Sequence, residues 1–214
     1  MKNFGFNLFV IFISGLLITS ILYLKTNKGL EHSFREAFFQ VTSIVTCTGF
    51  ATTDYLKWPH YAYYFLFFLM FAGGSAGSTS GGIKMVRHLV MFKNVRSIFQ
   101  GMNSFRAVHT IRLNNHTLPE KQNRTILAFI VLYLLFFVMS TVVLLAAGID
   151  FQSAASAVAT AMGGIGPGIG SVGPASNFSH FSGFAKLFLS FDMISGRLEL
   201  LTVLALFSPA FWKR

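Results

Sequence analysis

Two long stretches without charge dominate this chain. Residues 4 to 24 are 21 consecutive uncharged positions, and residues 126 to 149 are 24 more. At about 1.5 Å rise per residue, a helix of either length crosses a hydrocarbon core of about 30 Å. The first run is too long for the apolar segment of a cleaved signal peptide, and no small-x-small cleavage site follows it. Charged residues make up only 11% of the 214, and mean hydropathy is +0.60. A soluble domain carries about a quarter charged residues, so the cytosolic enzyme and the soluble binding module are disfavoured. The single cysteine, Cys47, excludes an intrachain disulfide and a multi-cysteine metal site. Two further segments read as interrupted spans. Residues 61–72 are apolar but stop at Gly73-Gly74, and residues 184–212 contain Asp192, Arg197 and Glu199.

The net charge of +10 has a position as well as a sign. Lys84, Arg87, Lys93, Arg96, Arg106, Arg112, Lys121 and Arg124 cluster between the second and third apolar segments of the chain, with Glu120 the one acid among them. Lys2, Lys213 and Arg214 sit at the ends. The positive-inside rule places this loop and both termini in the cytoplasm, which makes a multi-pass protein of a plasma membrane, the inner membrane in a bacterium. Anionic lipid headgroups or a cytoplasmic partner suit the same charge. Nucleic acid does not fit a basic loop of topogenic character.

Two stretches remain, residues 32–55 and 150–174, each too short and too polar to span. Ser33-Phe-Arg-Glu36 reads as a capping box that opens one helix, and Asp150 caps another beginning at Phe151. A shift of 117 residues lays Phe34 on Phe151, Ala37 on Ala154, Val41 on Val158 and Gly49 on Gly166. The spans on either side fall into register as well, the signature of a duplication. The repeated unit is helix, re-entrant half-helix with a glycine-bearing strand, helix. Irregular backbone at membrane depth is tolerated only where it lines water or protein, so residues 45–50 and 163–168 should border an aqueous path. The C-terminal end of such a half-helix favours a cation, and strand carbonyls can replace an ion's hydration shell.

Four strings carry a family resemblance: Thr46-Cys-Thr-Gly-Phe50, Gly73-Gly-Ser-Ala-Gly-Ser-Thr-Ser-Gly-Gly-Ile-Lys84, Gly164-Ile-Gly-Pro-Gly168 and Gly196-Arg-Leu-Glu199. At these residues the chain resembles the Trk/Ktr/HKT superfamily of potassium transporters, and within it the membrane-spanning TrkH-type subunits. The family builds a pore from four helix–pore loop–helix repeats, of which this chain resembles the third and fourth. The resemblance implies an all-helical integral membrane protein with residues 1–99 as one repeat, 100–125 as a basic cytoplasmic linker and 126–214 as the other. It implies that Thr46, Cys47, Thr48 and Gly49 form one quarter of a potassium filter and Gly163, Gly164, Ile165 and Gly166 another. It implies an intramembrane gate from Gly73, Gly74, Gly77, Ser78, Thr79, Ser80, Gly81 and Gly82, with Arg197 projecting into the same region. The family commonly has Asn where Gly164 stands and often Thr where Cys47 stands. Potassium is then the transported ion, with no covalent cofactor. The implied partners are the remaining half of the transporter or a second copy of this chain, a soluble nucleotide-binding regulatory ring on the cytoplasmic face, and membrane lipid. The alternatives are a non-conducting half that needs its missing repeats, and a self-associating cation channel subunit.

The repeat offset bears on the gate independently, because Arg197 less 117 is Ser80. A buried Arg at mid-membrane costs at least about 2.5–3.5 kcal/mol, so it serves as an electrostatic barrier or pairs with Asp192 or Glu199. Gly77 and Gly82 have phosphate-loop spacing, but Ile83 stands where that motif needs Lys. Residues 168–173 match a dinucleotide pattern by letters alone, without its strand, helix or acid. Nothing basic adjoins Cys47 in sequence to make it a reactive thiol. The six histidines form no i, i+4 pair, and no Ser–His–Asp constellation is evident, so chemical catalysis is not expected.

Overall fold

The computed structural model of the chain describes residues 2–75, 77–102, 111–113, 116–198, 200–206 and 212. Helix α1 (Lys2–Lys25) and helix α5 (Glu120–Ala146) contain the two long uncharged runs. Both are apolar around their circumference, and both leave large side chains outside, among them Phe9, Phe12, Val131 and Leu135. Such a helix is suited to lipid rather than water.

Each long helix is followed by a shorter one. Helix α2 (Leu30–Val45) packs along α1, and helix α6 (Phe151–Gly163) lies between α5 and α7 (Gly183–Arg197). From Ser153 to Gly163 every residue of α6 is buried. Its Ala, Ser and Gly side chains are small enough to let two neighbours approach closely. Asp150 caps α6 as its sequence position implies, its carboxylate accepting from the Ser153 N–H at 3.0 Å.

The proposed capping box at Ser33 does not form. Helix α2 begins a turn earlier, at Leu30 after an extended Gly29, and Ser33 lies inside it. Two i, i+4 pairs, Glu31–Arg35 and His32–Glu36, favour the added turn. Glu36 is buried and bonds Lys28 at 2.6 Å instead of the helix terminus.

The remaining helices are interrupted where the sequence suggests. Helix α3 (His60–Leu69) ends before the glycine string. Two-residue strands β1 (Ala72–Gly73) and β2 (Ile83–Lys84) then pair in parallel, and α4 (Met85–Met102) follows directly. Helix α7 gives way after Arg197 to α8 (Leu200–Leu206). The linker is not without structure, since β3 (Arg112–Leu113) and β4 (His116–Thr117) pair antiparallel.

Two apolar cores result. The first joins Ile18 and Leu22 of α1, Val41 and Ile44 of α2, and Leu66 of α3. The second joins Phe129, Tyr133 and Leu144 of α5, Val158 of α6 and Leu189 of α7. Each borrows from the other half: Ile165 and Ile169 enter the first core, and Ile83 the second. At the α4–α5 contact, Asn94 and Asn123 exchange amide hydrogen bonds of 2.8 and 2.9 Å, and the Arg87 guanidinium lies 3.8 Å from the Phe129 ring centroid.

Candidate functional site

Both short helices end in the same backbone figure. At the end of α2, the Cys47 N–H donates to the Ile44 carbonyl at 3.0 Å and the Thr48 N–H to the Ser43 carbonyl at 2.8 Å. At the end of α6, the Gly164 N–H donates to Ala161 at 3.1 Å and the Ile165 N–H to Thr160 at 3.0 Å. Every one of these residues is displaced by 117 from its counterpart. The left-handed positions coincide too: Cys47 (φ 55°) with Gly164 (φ 64°), and Gly49 (φ 78°) with Gly166 (φ 116°). Cys47 is the one residue other than glycine at positive φ among the described residues. The left-handed turn costs an L-residue about 1–2 kcal/mol. In exchange it reverses the direction of the backbone directly after the helix.

Side-chain hydroxyls fasten these turns. Ser43 Oγ donates to the Phe50 carbonyl at 2.6 Å, and its counterpart Thr160 Oγ1 accepts from the Gly166 N–H at 2.8 Å. Thr46 and Thr48 share a hydroxyl contact of 2.7 Å. The two segments meet at Gly49, where any Cβ would overlap the Ile165 carbonyl oxygen and lie 3.0 Å from its carbon. Tyr55, in a short 3-10 turn (Tyr55–Lys57), donates its hydroxyl to the Gly168 carbonyl at 2.6 Å. Thr46 and Gly163 stand at the helix ends themselves, Gly163 as the last residue of α6.

The glycine string closes into a compact loop. The Gly74 N–H donates to Ser80 Oγ at 3.0 Å, Ser78 and Ser80 share a hydroxyl contact of 2.7 Å, and the Met85 N–H donates to the Gly74 carbonyl at 3.1 Å. Lys84 reaches back across it. Its ammonium donates to the Ser78 carbonyl at 2.7 Å and to the Ser80 carbonyl. His88 Nε2 lies 3.2 Å from the Phe71 carbonyl, one of the acceptors left at the break after α3. The loop abuts the end of α6. The Gly82 N–H donates to the Met162 carbonyl at 3.3 Å, and a Cβ on Gly81 would lie 2.6 Å from the Gly163 carbonyl oxygen. Gly196 of α7 presses on the same Met162 carbonyl, with no room for a side chain.

A cavity of about 450 Å³ collects much of this chemistry. Thr46 and Cys47, loop residues Gly74, Ser75, Ser78, Thr79 and Ser80, Asn7 of α1, and Arg197 all line it. Arg197 and Ser80, equivalent by the repeat offset, thus border one space. Among the described residues no ion pair joins Arg197 to Asp192; Asp192 is fully buried and bonded to Ser140 instead. Glu199 lies outside the described residues. Gly164, Ile165 and Gly166 border a different cavity of about 450 Å³, with Lys186 and Met193 on its wall. Gly77 has nothing within 4 Å of where a Cβ would stand and lies at the loop's open edge. No cluster of three or more His, Cys, Asp or Glu suited to a metal occurs among the described residues.

The TrkH family, described as "Cation transport protein", matches residues 6–214. The chain belongs to the TrkH family. It is 38% identical over 181 residues to the Trk system potassium uptake protein TrkH of Escherichia coli K12, covering 85% of this chain and 37% of that one. It is 39% identical over 202 residues to the Trk system potassium uptake protein TrkI of Halomonas elongata, covering 93% and 41% respectively. The crystal structure of the potassium transporter TrkH from Vibrio parahaemolyticus superposes with a TM-score of 0.92 at 35% identity, over 99% of this chain and 45% of that one. The chain therefore spans less than half the length of the TrkH proteins it matches. It is a largely helical membrane protein of this family.

Sequence reading misses several of the groups that shape the site. Lys84 stands at the end of the glycine string, but its reach back to Ser78 and Ser80 depends on the parallel β1–β2 pairing, which no local pattern announces. Asn7 and Tyr55 carry no signal at all. Ser43 and Thr160 do carry one: they are hydroxyl residues related by the 117 offset.

Proposed function

We propose that this chain supplies two adjacent quarters of a potassium pathway, with Thr46–Gly49 and Gly163–Gly166 as filter segments. The supporting observation is the matched backbone: identical hydrogen bonds and left-handed turns, 117 residues apart, brought into contact at Gly49 and Ile165. Carbonyls turned from their helices by these reversals are available to coordinate a cation. The names of the matched relatives add potassium as the ion. Passage is then down the electrochemical gradient, with no chemical step.

In this reading each half of the chain is a helix–pore loop–helix repeat, and the loop from Gly73 to Gly82 with Arg197 forms the gate beneath the first filter segment. Lys84 holds that loop closed, and the Arg197 guanidinium places a positive charge in the path. The two missing quarters come from further repeats. Their seat is the exposed face of α2, where Phe34, Phe38 and Phe39 border an open cavity of about 700 Å³. The basic segment 84–124 faces the cytoplasm and receives a regulatory partner or anionic lipid, and both termini lie on that side of the plasma membrane.

The deciding experiment is ion flux from liposomes containing this chain, loaded with potassium or, as control, with sodium. Potassium-selective flux means that two copies close the ring by a twofold axis. Absence of flux from inserted, folded protein, restored by the missing repeats, means a dependent half. Flux that remains absent with those repeats present overturns the pathway.

A further inference from the structure

Helix α7 carries a polar cluster that neither the filter nor the gate uses. Asp192 and Ser195 are both fully buried, three residues apart and so on one face of the helix. Opposite them stands Ser140 of α5, 1% exposed, whose hydroxyl donates to Asp192 Oδ1 at 3.1 Å. The other carboxyl oxygen, Oδ2, has no partner, and neither has the Ser195 hydroxyl. Two orphaned polar atoms therefore lie buried on one face of α7.

Among the described residues no cation pairs with the Asp192 carboxylate. Helix α6, packed against α7, contains no titratable residue, and neither does α8. Helix α5 offers Tyr133, within electrostatic reach of both Asp192 and Cys47, while Glu120, Lys121 and Arg124 are exposed at its far end, Glu120 and Arg124 paired with each other. On α7 itself, Lys186 bonds the Ser179 carbonyl, and Arg197 faces the gate cavity. A bare carboxylate in this position bears the cost of burial without a counter-ion. A metal cation would need about six oxygen donors, and three side chains do not provide them. A single proton fits the donors present. Placed on Oδ2 it gives that oxygen a hydrogen to donate, and Ser195 Oγ is on the correct face to accept it.

We infer that Asp192, with Ser140 and Ser195, is an intramembrane proton-binding site. One turn of α7 separates Asp192 from Gly196, which presses on the Met162 carbonyl, and Arg197 follows. Loss of the proton leaves a buried anion on the helix that carries Arg197, so proton occupancy bears on where that guanidinium sits. The proton site itself rests only on the geometry of α5 and α7, whereas its bearing on the gate rests on the function proposed above.

The test is infrared difference spectroscopy of the 214-residue chain in lipid vesicles across a pH series, which needs no transport. The expected result is the carbonyl stretch of a buried, protonated carboxylic acid at neutral pH, lost in Asp192→Asn and shifted in Ser140→Ala and Ser195→Ala. Absence of the band, or its survival in Asp192→Asn, overturns the site. Loss of the band when sodium or potassium is raised at constant pH overturns it in favour of a metal cation. Should Asp192→Asn fail to insert, the serine variants decide: a band unmoved in both overturns the assignment. A failed flux experiment would leave this result standing, so the two readings fall separately.

Discussion

Gly49 and Gly164 both sit in left-handed turns after a short helix, yet their neighbourhoods differ, and a paired alanine experiment separates two physical costs. Gly164→Ala meets nothing within 4 Å, so it bears only the left-handed penalty, about 1–2 kcal/mol. Gly49→Ala bears that penalty and also drives a methyl into the Ile165 carbonyl. Overpacking against a neighbour that must shift adds typically about 1–3 kcal/mol. Backbone cannot swing aside as a side chain would, so the two segments that follow α2 and α6 must part. For a chain of this size about 1 kcal/mol moves the thermal midpoint by about 2–4 °C, so Gly49→Ala should melt roughly 2–12 °C below Gly164→Ala. The assay is thermal unfolding of both variants in one detergent, with ion flux of the same preparations alongside. Gly164→Asn should recover part of the loss seen in Gly164→Ala, because Asn tolerates the left-handed region. Equal midpoints for Gly49→Ala and Gly164→Ala would refute the close approach of the two segments.

Other substitutions test the proposed gate and its supports. Lys84→Met removes two charge-assisted bonds to loop carbonyls, together worth about 3–6 kcal/mol, and should raise potassium flux through the assembled transporter by at least about tenfold. Flux at the wild-type level would show that the loop closes without its latch. Arg197→Ala should likewise raise cation flux; an unchanged rate would remove the guanidinium as an electrostatic barrier. Tyr55→Phe deletes the hydroxyl bonded to Gly168 and should cost about 0.5–1.5 kcal/mol, read as a modest fall in thermal midpoint. A midpoint identical to wild type would mean that water or another donor takes over at the Gly168 carbonyl.

What the sequence discloses here depends on the range of the interactions involved. The uncharged runs of α1 and α5 follow from composition over some twenty residues, and the Asp150 cap is a contact three residues long. Both are legible. The internal offset is legible because like residues stand at one spacing: Ser43 is matched by Thr160 and Gly49 by Gly166. The start of α2 is not, since two i, i+4 pairs, Glu31–Arg35 and His32–Glu36, favour a helix that begins one turn before the capping box read at Ser33. The loop between Gly73 and Gly82 can be read as irregular, but its closed form rests on β1 lying beside β2. That pairing sets Gly73 next to Lys84, eleven residues on, and only then does the lysine find its carbonyls. The burial of Asp192 is equally hidden, because a charged residue in an apolar segment reads first as an interruption.

The amide pair between Asn94 and Asn123 carries a consequence for how such a chain can be assembled. The two halves meet through their own surfaces at α4 and α5, by reciprocal amides and by a guanidinium over a phenyl ring. Severed between residues 102 and 116 and co-expressed as separate polypeptides, the halves should dock in native register. The covalent joint would then serve as a tether that raises local concentration, and the information for pairing would reside in the handshake itself.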